Sequence, residues 1–142
     1  MKCIKVVLVL VAVLALTAGV AFGESVKVMT KAGVGNYLAD SEGMTLYYFK
    51  NDSPGESTCT GGCLDNWPVF YEEEITVPEG LDEADFDTID REDGTEQTTF
   101  KGYPLYYFVA DENPGDTKGE GVGGVWFVVD PASFMKAPTS GY

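Results

Sequence analysis

Two segments of this chain carry the same phrase 59 residues apart: Leu46-Tyr47-Tyr48-Phe49 and Leu105-Tyr106-Tyr107-Phe108. Gly43, Asp52 and Trp67 recur at that offset as Gly102, Asp111 and Trp126. Each copy reads G-x-x-L-Y-Y-F-x-x-D, then 14 residues, then W-x-V. A duplicated unit constrains the fold before any other feature does. One copy offers too few strands to be stable by itself, so the two must share a core. Two copies are also too few for a solenoid. An approximate two-fold axis relating them is the economical arrangement.

Short runs rich in β-branched and aromatic residues, bounded by Gly, Asp, Asn and Pro, argue strands. Ser25 to Asp40 reads as strand, turn and strand, and Met44 to Phe49 as the first aromatic strand. Asn51 to Gly62 is a turn-rich loop, and Trp67-Pro68-Val69-Phe70 closes the copy as a short strand. Gln97 to Phe100, the aromatic strand after Gly102, and Val125 to Val129 repeat the scheme. Between the copies lies an acidic connector, in which twelve of residues 72–96 are Asp or Glu and Arg91 is the one basic residue. A helical turn is expected around Leu81 to Phe86. The fold class is mainly β: a compact antiparallel β-sandwich or barrel-like domain built from two related repeats.

The N-terminus has a different character. Lys2 and Lys5 precede an apolar run from Val6 to Val20, with small residues at Ala21 and Gly23. This is the layout of a secretory signal. Cleavage is expected after Gly23, with Ala21 as the nearest alternative. An uncleaved anchor is the other option, since the run approaches the length of a membrane span. The expected organisation is a signal over 1–23 and one domain over 24–142. Within the domain, repeat 1 covers about 35–71, the connector 72–93, repeat 2 about 94–130 and a loosely attached tail 131–142.

Removing the signal leaves seven basic against 23 acidic residues, a formal charge of −16. Such a chain repels nucleic acid and anionic membrane surfaces. The partners left open are cations, or a cell-envelope protein or glycan. There is no histidine. That removes the usual general base at neutral pH and the commonest metal ligand, and with them Ser-His-Asp and Cys-His catalysis.

The candidate sites are few. Cys59 and Cys63 flank Thr60-Gly61-Gly62, a loop tight enough for a local disulfide. A redox role for the pair is disfavoured, because Glu56 and Asp65 nearby have the wrong sign to stabilise a thiolate. Tyr47, Asp52, Trp67, Tyr106, Asp111 and Trp126 form the repeated motif. Alternation puts Leu46 and Tyr48 on one face of the strand and Tyr47 and Phe49 on the other. Core packing is the favoured reading of these aromatics, and a sugar or peptide platform is the alternative. Asp52 and Asp111 each precede a Pro-Gly turn, where an aspartate accepts backbone N–H bonds two residues on. Asp111, Glu112, Asp116 and Glu120 are a candidate Ca2+ cluster by composition, although no segment fits an EF-hand loop.

The chain resembles the family of secreted repeats of unknown function, described as lipoproteins with a Tyr-x4-Asp motif. The resemblance rests on Tyr47 to Asp52 and Tyr106 to Asp111. Cys59-Thr-Gly-Gly-Cys63, Asn66-Trp67-Pro68, Arg91 with Asp93-Gly94, Gln97, Gly102 with Pro104-Leu105-Tyr106, and Pro114-Gly115-Asp116 support it. It implies export and a tandem repeat, but no family active site. One departure stands out: a lipoprotein signal needs cysteine directly after cleavage, and Glu24 follows Gly23. The expected function is an exported, non-catalytic surface or extracellular module. The alternatives are a calcium-binding protein and a thiol–disulfide redox protein using Cys59 and Cys63.

Overall fold

The computed structural model describes residues 23–134. The proposed signal, apart from Gly23, and the tail from residue 135 lie outside the described residues. No helix among the described residues is long and apolar enough to cross a membrane.

The chain is mainly β and open, with seven strands in two antiparallel sheets. Strands β1 (Val26–Lys31) and β2 (Gly35–Asp40) form a hairpin, and β3 (Tyr47–Phe49) is the first aromatic strand. One short helix, α1 (Cys63–Asn66), follows the turn-rich loop. Strands β4 (Phe86–Asp90) and β5 (Glu96–Phe100) form the second hairpin. Then come β6 (Tyr103–Tyr106) and β7 (Trp126–Val128). The larger sheet has the order β4-β5-β6-β3-β7. The barrel alternative does not form: β1 and β4, the outer strands of the two hairpins, turn most of their side chains to solvent and do not pair. The expected helical turn is a single 3-10 turn over Glu83–Asp85, capped by the Asp82 carboxylate on the Ala84 N–H.

The aromatic strands meet at the centre. β3 and β6 run antiparallel with Tyr47 opposite Tyr106 and Tyr48 opposite Leu105. Since Tyr47 and Tyr106 are the same motif position, the pseudo-two-fold axis passes between them. Each strand is flanked by the tryptophan segment of the other copy. β7 pairs with β3, and the 67–70 segment lies along β6, where Tyr107 N donates to Pro68 O at 2.7 Å and Phe70 N to Leu105 O at 3.0 Å. The latter segment makes only an isolated bridge, Val69 to Tyr106, instead of the expected strand. Pro68 has no N–H to extend a ladder.

Both faces of the central strands are covered, as their alternation requires. Leu46 and Leu105 join Val26, Leu38, Phe70, Phe100 and Val129 in one cluster. Tyr47 and Tyr106 join Tyr37, Trp67, Trp126 and Cys59 in the other. The start of the tail is better anchored than expected. Phe134 lies edge-on to Tyr48 at 4.8 Å between ring centroids, and Lys101 Nζ donates to its carbonyl at 3.3 Å.

Candidate functional site

The repeated tyrosine and aspartate meet across the two copies, not within one. Tyr47 OH donates to Asp111 Oδ2 at 2.5 Å, and Tyr106 OH donates to Asp52 Oδ2 at 2.6 Å. Both tyrosines are fully buried and both aspartates nearly so. Burial first, and then the adjoining carboxylate, push both phenols well above their ordinary range. Burial also raises the Asp111 carboxyl, against the Tyr47 and Lys118 bonds that lower it. A phenol on a carboxylate at this distance is a strong, charge-assisted hydrogen bond.

The second oxygen of each aspartate closes its own loop. Asp52 Oδ1 accepts from Thr58 N at 2.7 Å and Thr58 Oγ1 at 2.8 Å, and Asp111 Oδ1 accepts from Lys118 N at 2.9 Å. The expected bond two residues on is replaced by one six or seven residues on. Each carboxylate therefore ties a whole loop to the opposite copy. Lys118 does the work of Thr58, so Gly119 takes the place of Cys59, one position beyond the simple 59-residue match. A side chain at Gly119 would strike the Tyr47 ring at 2.7 Å.

The other motif residues are reciprocal as well. Trp67 and Trp126 stack with centroids 3.8 Å apart and planes 3° from parallel. Phe108 extends the stack beyond Trp67 and Phe49 beyond Trp126, each at 4.2 Å. Gly102 has φ +91°, and a Cβ there would lie 2.9 Å from the Pro54 side chain. Gly43 meets Pro114 in the same way. The hydrogen bonds match: Gly55 N to Gly102 O at 2.8 Å, and Gly115 N to Gly43 O at 3.2 Å.

The halves differ in their loops. Cys59 and Cys63 form a disulfide, with Cys59 fully buried. Beside it lies Arg91, a buried cation that the sequence reading gave no role. Its guanidinium donates to Cys59 O at 2.7 Å, Gln97 Oε1 at 2.6 Å and Ser57 Oγ at 2.8 Å. Ser57 in turn lies 2.5 Å from Tyr106 OH. Gln97 Nε2 donates to Leu105 O at 2.8 Å. The positive neighbour of the cysteine loop thus comes from 32 residues away. The resemblance had pointed to Arg91 and Gln97; their separation from the loop hid the contact.

The four candidate calcium ligands do not converge. Asp111 is committed as above. Asp116 Oδ2 accepts from the N–H groups of Glu112 and Asn113 at 3.0 Å, which holds its carboxyl below the ordinary range. Glu120 Oε2 accepts from Val128 N at 2.6 Å, holding β7. Among the described residues, no group of three or more His, Cys, Asp or Glu is placed to hold a metal ion.

Comparison with curated proteins and with solved structures yields no significant match. A family model does match, twice in tandem, over residues 28–71 and 87–130. Those spans contain both Tyr-x4-Asp motifs, both tryptophans and most of both hairpins. The chain belongs to the family described as secreted repeat of unknown function.

Proposed function

We propose that this protein is an exported, non-catalytic module that engages an extracytoplasmic partner through its unlike surfaces, while the repeated motif serves as scaffold. The reading is carried by the commitment of the motif's polar groups. Tyr47, Tyr106, Asp52 and Asp111 spend their hydroxyls and carboxylates on one another and on their own loops. A general acid or base needs reach to a substrate proton, and these four groups are enclosed. The disulfide supports a structural cysteine pair, since Cys59 is buried in the core. The envelope is the favoured partner, because the family is described as secreted.

The test is co-sedimentation of the purified mature protein with isolated cell envelopes, in calcium and in chelator, against an equally acidic control protein. Retention above the control in both conditions is expected. A protein that stays in the supernatant at every ionic strength would sink the proposal. Retention that requires calcium would transfer it to the divalent-cation alternative.

A further inference from the structure

The two halves depart from their symmetry most usefully at Tyr48 and Tyr107, the same position in the two copies. In the second copy the position is closed. Tyr107 OH donates to Asp40 Oδ2 at 2.7 Å, and its ring stands edge-on to Phe70 at 5.7 Å. The matching bonds Leu38 N to Val129 O and Thr98 N to Phe70 O fix the equivalence of the surroundings. Phe100 stands where Asp40 would, and Val129 where Phe70 would. The acceptor is therefore missing around Tyr48, and the ring that stands edge-on to it comes from Phe134 instead of from the Phe70 position.

Part of that space is filled by Phe134. The remainder is a cleft of about 350 Å3 lined by Tyr48, Tyr103, Phe134, Lys50, Asp130 and Ser133. Small-ligand pockets span roughly 300–1,000 Å3. Among the described residues, the hydroxyls of Tyr48 and Tyr103 have no hydrogen-bond partner, whereas those of Tyr47, Tyr106 and Tyr107 all do. Asp130 uses Oδ1 on Ala132 N at 3.0 Å, and its Oδ2 has no partner among the described residues. Lys50 and Asp130 form no ion pair, as Arg91–Asp93 is the one such pair among the described residues. The equivalent positions around Tyr107, Val109 for Lys50 and Tyr71 for Asp130, carry no charge.

The chemistry of this lining is specific. Lysine only donates, an ionised aspartate only accepts, and tyrosine and serine hydroxyls do both. The charged groups of the cleft cancel, in a chain whose formal charge is −14. The walls are aromatic. A ligand matching this set carries no net charge, has an apolar face and a rim of groups that donate and accept. We infer that the Tyr48 cleft is a binding site for a neutral saccharide of one or two pyranose rings. Tyr48 and Tyr103 stand 73° apart, so the C–H face of the ring lies against one of them and its edge against the other, while its hydroxyls reach Lys50 and Asp130. The inference rests on the binding-module reading and names its site and ligand class.

The test is a nuclear magnetic resonance titration of the mature protein with cellobiose, chitobiose and maltose, with gluconate and glycylglycine as charged controls. Shifts of the Tyr48, Tyr103 and Phe134 ring signals by a disaccharide are expected. Affinity should fall at least about tenfold in Lys50→Gln and in Asp130→Asn, surface changes that leave the core intact. Binding of the dipeptide or gluconate alone overturns the saccharide class. Shifts elsewhere, or none, overturn the site. Pull-down on cellulose and chitin distinguishes a polymer from a free sugar as the source. Envelope retention separates this inference from its parent. If the Lys50→Gln/Asp130→Asn variant is retained like the wild type, the cleft is not the contact and the module reading stands. If disaccharide binds but envelopes do not retain the wild type, the module reading falls and the cleft survives.

Discussion

At the scale of single residues, the Tyr47–Asp111 and Tyr106–Asp52 bonds are the interactions with the largest consequences. Removing the donor from a buried acceptor costs about 1–3 kcal/mol, so Tyr47→Phe should lower unfolding stability by that amount in denaturant titrations. The partner assignment is tested by double-mutant cycles. Tyr47→Phe with Asp111→Asn should show a coupling energy of about 0.5–3 kcal/mol, well above that of Tyr47→Phe with Asp52→Asn. Equal or reversed couplings would place the bonds within each copy and refute the exchange. The same phenols set the alkaline limit. Tyr47, Tyr106 and Tyr107 are all raised above 10.0, foremost by burial. The unfolded chain releases those protons first, so the native state binds more of them above the unfolded pKa. Their contribution is therefore whole below about pH 10 and is lost as pH rises beyond it, by up to about 1.4 kcal/mol per pH unit and phenol. Denaturant midpoints measured from pH 8 to about 11.5 should fall steeply only beyond about 10. A flat profile would contradict the burial of these hydroxyls.

Among the elements, the first hairpin, β5, the aromatic strands and the turn at Glu83–Asp85 were legible in the sequence, because their signals are local; β4 was not, since Phe86 to Asp90 lies in the acidic stretch read as a connector. Alternation in Leu46 to Phe49 placed the two faces correctly, and each face meets its own core cluster. What stayed hidden was everything decided by a distant partner. Asp52 and Asp111 read only as caps of their own turns, but β3 pairs with β6 and carries Tyr47 to the opposite loop. Arg91 sits in an acidic connector and reads as a solvated charge, yet the β4–β5 hairpin delivers it to Cys59. The helix α1 went unread because its four residues are too few to show a period. Its attachment to the disulfide gives a further prediction. A loop closed by cysteines four residues apart removes little unfolded-state entropy, about 2 kcal/mol by the chain-entropy relation. Cys59→Ala/Cys63→Ala should lower stability by about that much and still fold. Failure to fold would show that the disulfide holds more than its own loop.

Viewed whole, the molecule is one core written twice and closed by exchange. The Tyr–Asp bonds, the Trp67–Trp126 stack and the Pro–Gly contacts all run from one copy to the other. The copies differ in what they leave at the surface: a cysteine loop on a buried arginine in one half, an acidic loop in the other, and one open aromatic cleft. The Tyr–Asp and Trp–Trp positions on which the copies agree hold the fold; the loops and the surroundings of Tyr48 are where they differ. The Tyr47–Tyr106 axis carries one more implication, about ancestry and assembly. The contacts across it are those of an isologous interface, the kind that joins identical subunits. A chain with a single repeat would meet a second copy of itself through the same tyrosines, aspartates and tryptophans, so a symmetric homodimer is a natural forerunner of this fold. The connector that now joins the halves serves to keep them together at any dilution. Nicking it between Glu73 and Glu79 should leave two fragments that co-elute as one native particle and recombine after separate unfolding. Fragments that fold alone, or never reassociate, would deny the halves that origin.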